Sequence, residues 1–317
     1  MSKKSISIIV PVFNEEKNIL AISNKLVKIL ESLQKKYAYE IIFIDDGSTD
    51  KSMEILEKLT NHNKNIKYIQ FTRNFGKEIA LSAGIHKAKG DLAIMIDADL
   101  QHPPELISQF IQKWQGGADI VVGVRKNSNG SILKKFGSFC FYKIMKLISD
   151  TAITSGATDY RLIDKKVIQE FNRFTERNRI ARGLLNWLGF KKEFIYFNTN
   201  VRKSGKATYG FLKLIKLALS TFVTHSLFPL KLAGYLGIII TLPAGLLGLF
   251  ILVEKYFLND PLGLNFTGTA MLSVLVIFLV GIILSCLGLI ALYIAEIQGE
   301  VTNRPMYVIR KTGNLDG

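Results

Sequence analysis

Asp97-Ala-Asp99-Leu-Gln101 places two carboxylates and an amide at alternate positions, directly after the apolar run Leu92–Ile96. In extended backbone, residues i, i+2 and i+4 point to one side. Three oxygen-bearing side chains gathered just past a buried strand suit a hard divalent cation. The same carboxylates also suit a plainer task, capping the helix that Pro103-Pro104 opens, since proline is tolerated in a first helical turn. Spacing alone leaves both readings standing.

The elements that must position this loop alternate regularly. Ser5–Val12 is a β-branched run of strand type. Asn14 reads as the N-cap of a helix reaching Lys36, with Glu15 and Glu16 favourable in its first turn and Ile22, Leu26, Ile29 and Leu33 facing inward. Tyr39–Asp45 is a second strand. It empties into Asp45-Asp-Gly-Ser-Thr-Asp50 and a helix with Met53, Leu56 and Leu59 inside. Ile66–Phe71 leads to Thr72-Arg-Asn-Phe-Gly76 and a helix through Lys87; Leu92–Ile96 leads to the helix Pro103–Trp114; Asp119–Val124 leads to Arg125.

This alternation predicts an α/β fold with a mostly parallel sheet and helices on both faces. Ligands of such sheets bind beyond the carboxyl ends of the strands. Asn14-Glu15, Asp45-Asp46, Arg73-Asn74, Asp97/Asp99 and Arg125 all fall there. No Gly-x-Gly-x-x-Gly and no Gly-x-x-x-x-Gly-Lys-Ser/Thr occurs at a strand end, which speaks against dinucleotide oxidoreductases and P-loop enzymes.

Beyond Gly130 the pattern changes. Ile132–Ser149 and Phe211–Leu227 read as amphipathic basic helices, the second carrying Lys213 and Lys216. Arg173, Arg177, Arg179 and Arg182 form a basic cluster before Trp187, Thr158-Asp-Tyr-Arg161 follows a small-residue loop, and Phe194–Thr199 is a strand. Leu232–Val253 and Thr267–Ala295 carry no charge, and each passes the roughly 20 residues that span a bilayer. Lys213, Lys216, Lys231, Arg304, Arg310 and Lys311 flank them, while the connector Glu254–Phe266 is slightly acidic. Positive charge inside puts both chain ends in the cytosol. Gly245, Gly248, Gly281, Ser285 and Gly288 offer small surfaces for helix packing, between subunits or within one chain.

The composition agrees. Among 317 residues, 41 basic against 26 acidic give a net charge of +15, and mean hydropathy is +0.22. The excess positive charge suits an anionic membrane surface and phosphate-bearing substrates. Nucleic acid is not expected, because no basic helix carries a reading motif. Cys140 and Cys286 suggest neither a disulfide framework nor zinc. Met-Ser-Lys-Lys-Ser lacks a signal-peptide core, which places the first domain in the cytosol. The expected division is a catalytic domain over residues 1–208, a juxtamembrane amphipathic helix over 209–229, two transmembrane helices with a short external loop over 230–295, and a cytosolic tail over 296–317.

Pro11-Val-Phe-Asn-Glu15, Asp45-Asp-Gly-Ser-Thr-Asp50 and Asp97-Ala-Asp-Leu-Gln-His-Pro103 resemble the inverting glycosyltransferases of family 2, which have the Rossmann-like GT-A fold. Arg73-Asn-Phe-Gly-Lys-Glu78, Arg202-x-x-Gly205 and the two C-terminal spans narrow this. The whole chain is similar to the polyprenyl-phosphate glycosyltransferases, that is, dolichol-phosphate mannose synthase and, closer, the bactoprenol glucosyltransferases.

The resemblance implies a metal-dependent transfer of a hexose, glucose from UDP-glucose before mannose or another sugar, onto undecaprenyl or another polyprenyl phosphate. UDP donors are favoured over GDP donors, at the cytosolic face of the inner membrane, by a homo-oligomer, a tetramer in the family. It implies that Pro11, Phe13, Asn14, Glu15, Asp46, Lys77 and Asp97 hold the nucleotide sugar. Asp97, Asp99 and Gln101 would bind Mg2+ or Mn2+, with Asp99 and Asp159 as the catalytic carboxylates. Arg125, Lys134, Ser138 and Arg202 would receive the acceptor phosphate; Lys134 stands where the archaeal mannose synthase type has arginine.

A phosphate monoester has a second pKa of about 6 and is nucleophilic at neutral pH without a strong base. Asp159 is therefore as suited to orienting the acceptor, or to pairing with Arg161, as to removing a proton. A processive polysaccharide synthase would carry Gln-x-x-Arg-Trp where this chain has only Leu184-Leu-Asn-Trp187. A non-catalytic membrane-binding protein would have no need of the intact carboxylate set.

Overall fold

The computed structural model describes residues 3–126, 156–176, 179–198, 253 and 268–315. Contacts divide the chain into two compact units, Met1–Ala207 with Arg304–Gly317, and Thr208–Asn303.

Among the described residues the first unit contains eight strands: β1 Lys4–Val12, β2 Tyr37–Asp45, β3 Ile66–Phe71, β4 Leu92–Met95, β5 Ile120–Arg125, β6 Ala157–Asp164, β7 Lys192–Phe197 and β8 Ile309–Gly313. They form a single sheet in the order β7-β5-β6-β4-β1-β2-β3-β8. Its helices are α1 Ile19–Leu33, α2 Ser52–His62, α3 Lys77–Lys87, α4 Ile107–Gln115, α5 Lys165–Arg173 and α6 Ala181–Trp187.

Alternate residues of each central strand feed two cores. Ile6, Ile8, Val10, Ile41 and Phe43 join α1, α2 and α4 through Ile22, Leu26, Leu56 and Phe110. Ile9, Ile42 and Ile44 face the other way and meet α3, α5 and α6 through Ala80, Ala83, Val167, Phe171 and Leu185. Burial on both faces explains why β1 and β2 read as continuous apolar runs rather than as alternation. The expected α/β architecture with helices on both faces is the one observed.

Several details differ from the sequence expectation. The sheet is mixed. Thr158–Arg161, which carried no predicted element, lies within β6, and β6 runs antiparallel to both β4 and β5. Asn14 does not cap α1: it sits at φ 55°, and the helix starts at Ile19 with no side-chain cap on Asn18. The Asn14 amide oxygen instead accepts from the Thr49 N–H at 2.8 Å, tying the β1 and β2 exit loops together. The last strand before the second unit spans Lys192–Phe197 rather than Phe194–Thr199.

The segment expected as a separate tail over 296–317 is divided. Residues up to Val301 continue helix α7, Gly268–Val301, and β8 pairs antiparallel with β3. Tyr307 stacks on Phe71 at 4.9 Å, and Phe71 meets Phe75 edge-on at 5.6 Å. The Thr72 N–H donates to the Val308 carbonyl at 3.0 Å, and the Arg310 guanidinium donates to the Thr72 carbonyl. The end of the chain thus holds the β3–α3 loop.

In the second unit, α7 covers the sequence of the second expected span. Many of its side chains lie outside the described residues, as do the first span and both predicted amphipathic helices. Among the described residues no helix is long and apolar enough to cross a membrane.

Replacing Tyr307 by Ala removes the aromatic contact that backs this loop. Amide hydrogen exchange at Phe75 and Gly76 is expected to accelerate about tenfold, the equivalent of about 1.4 kcal/mol. Unchanged exchange would mean that the loop holds its shape without the C-terminal strand.

Candidate active site

The carboxyl ends of β1, β2, β3, β4 and β5 lie along one edge of the sheet, as parallel pairing of β1 with β2 and β4 requires. Because β6 is antiparallel, its amino end arrives at that same edge, with Val124 opposite Ala157. Asp159 is therefore delivered beside residues that exit β4.

The central contact is an ammonium between two carboxylates. Lys77 Nζ lies 2.6 Å from Asp97 Oδ1 and 3.2 Å from Asp159 Oδ2. Arg182, in the first turn of α6, donates to Asp159 Oδ1 through Nη2 at 2.8 Å and through Nε at 3.2 Å. Burial works against the Lys77 charge, but Asp97 and Asp159 outweigh it and raise its pKa. Burial likewise pushes the Asp159 carboxyl up, yet Lys77 and Arg182 hold it well below the usual carboxylate range. An acid so depressed stays ionised at neutral pH and makes a poor proton acceptor.

Arg161 is not the partner of Asp159. Its Nε donates to the Thr158 carbonyl at 2.9 Å, and its burial lowers its pKa to about 10. Glu78 accepts from the Ala181 N–H at 2.9 Å and so fixes the start of α6, which carries Arg182; burial raises the pKa of Glu78.

The carboxylates of the loop after β4 cap no helix. The short 3-10 turn Pro104–Leu106 precedes α4, and no side chain caps it. Asp99 Oδ1 accepts from the Gln101 N–H at 3.0 Å, a local turn rather than a helix cap. The intervening Leu100 sits at φ 61°, strained backbone of the kind that clusters at functional sites. Asp97, Asp99 and His102 bring ligand atoms within 4.8 Å of one another. Two carboxylates and an imidazole are a donor set that a divalent cation accepts. Gln101 Oε1 faces Arg125 Nη2 at 3.5 Å.

The remaining predicted residues divide into exposed and supporting ones. Phe13 is 41% exposed at the end of β1, a flat apolar surface of the sort a base stacks on. Pro11 is buried within β1 opposite Ile44. Asn14 and Glu15 staple the β1 loop to the β2 loop, their N–H groups donating to Ser48 and Ser52 Oγ at 2.9 Å.

Asp46 is 3% exposed and accepts from the Phe75 N–H at 2.7 Å and the Gly76 N–H at 2.9 Å. Burial raises its pKa while these bonds oppose the rise. Asp46 thereby pins the loop that carries Lys77. Gly47, at φ 71°, lets that loop approach: a Cβ there would stand 2.5 Å from the Arg73 carbonyl carbon. Lys134, Ser138 and Arg202 lie outside the described residues.

Sequence reading missed Arg182 and His102. Arg182 was visible only as part of a basic cluster; its position next to Asp159 depends on the antiparallel β6 and on α6. His102 was written inside the motif, and its neighbourhood to Asp97 and Asp99 in sequence was the available signal. A cavity of about 560 Å³ bounded by Ser5, Glu40, Lys67 and Lys89 lies at the opposite ends of the strands. Its Glu40 is already paired with Lys67 at 2.8 Å, and it takes no part in this site.

This chain belongs to glycosyl transferase family 2, whose model matches residues 7–171, and it is a glycosyltransferase. An uncharacterized glycosyltransferase of Synechocystis sp. is 38% identical over 98% of this chain and 96% of its own length. The SfII prophage-derived bactoprenol glucosyl transferase of Shigella flexneri is 36% identical over 97% of this chain and 98% of its own. The family expected from the motifs is the family found. Among solved structures, the glucosyl-3-phosphoglycerate synthase of Mycobacterium tuberculosis in complex with Mn2+, uridine diphosphate and phosphoglyceric acid aligns with 70% of this chain and 77% of its own, at 16% identity. The TM-score of that alignment is 0.46.

Asp159→Asn keeps the shape of the side chain and removes its charge. Activity is expected to fall about tenfold or more through lost orientation, while the pH–rate profile between pH 5 and 9 keeps its form. The depressed pKa places the titration of Asp159 below that window, so the ionised form persists throughout it. Disappearance of an acidic limb in the variant would reinstate Asp159 as the base.

Proposed function

We propose that this glycosyltransferase moves glucose from UDP-glucose onto undecaprenyl phosphate at the cytosolic face of the cell membrane. The observation that carries the reading is the Asp97–Lys77–Asp159–Arg182 chain of charges beside Asp99, at the edge of the sheet where ligands of such folds bind. Near full-length similarity to proteins named bactoprenol glucosyl transferase supports the lipid acceptor and the sugar.

In this reading Asp97 and Asp99 would hold Mg2+ or Mn2+. The bound cation supplies charge stabilisation for the departing nucleoside diphosphate. Phe13 stacks on the base, and the stapled Asn14–Glu15 and Asp46 loops shape its pocket. Lys77 keeps Asp97 and Asp159 together and turns toward the donor phosphates. The acceptor phosphate oxygen attacks the anomeric carbon from the face opposite the leaving group, inverting it. Arg125, with Lys134, Ser138 and Arg202 by resemblance, neutralises the acceptor so that one anion approaches another. Asp159 orients a hydroxyl or the acceptor; it removes no proton.

A lipid acceptor also gives the C-terminal half its purpose. Two spans over residues 230–295, preceded by an interfacial helix over 209–229, would keep the site at the bilayer surface with both chain ends cytosolic. A homotetramer packed through glycines of these helices completes the reading.

The test is transfer from labelled nucleotide sugars to undecaprenyl phosphate in membranes, with Mg2+, Mn2+ or chelator. A metal-dependent, solvent-extractable lipid product from UDP-glucose alone is expected, and Asp99→Asn should lower its rate at least 100-fold with membrane insertion intact. A product from another donor would change the sugar. No lipid product from any donor would sink the lipid acceptor.

A further inference from the structure

Asp97 offers its two oxygens to different neighbours. Oδ1 is held by Lys77 at 2.6 Å, while Oδ2 faces His102 Nδ1 at 3.6 Å. That gap is too long for a hydrogen bond. A divalent cation between the two atoms would give both of them a partner.

His102 is otherwise unexplained. Its ring is 1% exposed, and neither ring nitrogen has a hydrogen-bond partner. Burying polar groups in this way is costly unless something binds them. The ring is held in place: Tyr160 and Phe197 wall it at 5.4 and 5.7 Å. Tyr160 in turn donates its hydroxyl to the Pro103 carbonyl at 3.0 Å, which fixes the turn that follows His102. The left-handed Leu100 lets the chain double back so that residue 102 reaches Asp97.

We infer that His102 is a direct ligand of the catalytic cation, joining Asp97 and Asp99, and that it biases the site toward Mn2+ over Mg2+. The inference rests on the cation site of the proposed function and adds a nitrogen donor to it. Mg2+ demands oxygen ligands in a near-ideal octahedron. A site with a fixed imidazole discriminates against it and accepts a softer divalent ion. Gln101, the oxygen donor the spacing suggested, lies beside the same loop with Oε1 3.5 Å from Arg125 Nη2.

The experiment is pulsed electron paramagnetic resonance of Mn2+ bound to the full-length protein with UDP. Nitrogen modulation of a directly bound imidazole is expected, moving to the 15N frequencies in protein made with 15N-imidazole histidine. It should vanish in His102→Gln, whose Mn2+ affinity should fall about tenfold while Mg2+ affinity stays within twofold. If Mn2+ binds without such modulation, or the modulation survives in His102→Gln, His102 is no ligand and the carboxylate site stands without it. If no Mn2+ binds at all, the cation site of the proposed function falls together with this inference. Should His102→Gln fail to fold, the labelled native protein decides the ligand and His102→Asn serves as the second variant.

Discussion

Everything at the carboxyl edge of the sheet depends on one ammonium group. Asp97 and Asp159 come from strands that run in opposite directions, and both are drawn out of bulk water. Two carboxylates brought together there would repel, and one would neutralise itself by taking a proton. Lys77 bridges the two, and with Arg182 on the far side of Asp159 it holds the Asp159 carboxyl well below the usual carboxylate range. Removing one member of such a set leaves an uncompensated charge, which costs far more than the pair contributes net. Lys77 itself keeps 38% of its side chain exposed. It is therefore anchored from one side and open to solvent on the other.

That ammonium is placed by a chain of dependencies. Asp46 grips the N–H groups of Phe75 and Gly76 ahead of α3. Gly47 makes room for the Arg73 backbone. Tyr307 and β8 close over the same loop from outside. A carboxylate, a glycine and an aromatic, widely separated in sequence, all act by fixing where Lys77 begins.

Much of this was legible in the sequence, for identifiable reasons. Strand and helix periodicity is local, so β1 to β5 and α1 to α4 declared themselves, and the polar residues at their exits marked the site. Strand direction is not local. Nothing in Thr158-Asp-Tyr-Arg161 says that it enters the sheet antiparallel, and without that knowledge Arg161 seems the natural partner of Asp159 where Arg182 is the real one. Asn14 misled because a residue common at helix caps is also one that tolerates positive φ, and here the second property is the one used. His102 was hidden by its burial: an imidazole among aromatics looks like core until its unpartnered nitrogens are seen.

The return of residues 309–313 to the sheet has a consequence for biogenesis. A ribosome delivers β1 to β7 long before β8, with all of Thr208–Asn303 in between. Until the last strand emerges, β3 is an open edge, a template on which a stray strand of any nascent chain can pair. The catalytic unit completes itself only once the second unit has been made, so synthesis of the whole chain, rather than of its first two thirds, is what seals the sheet.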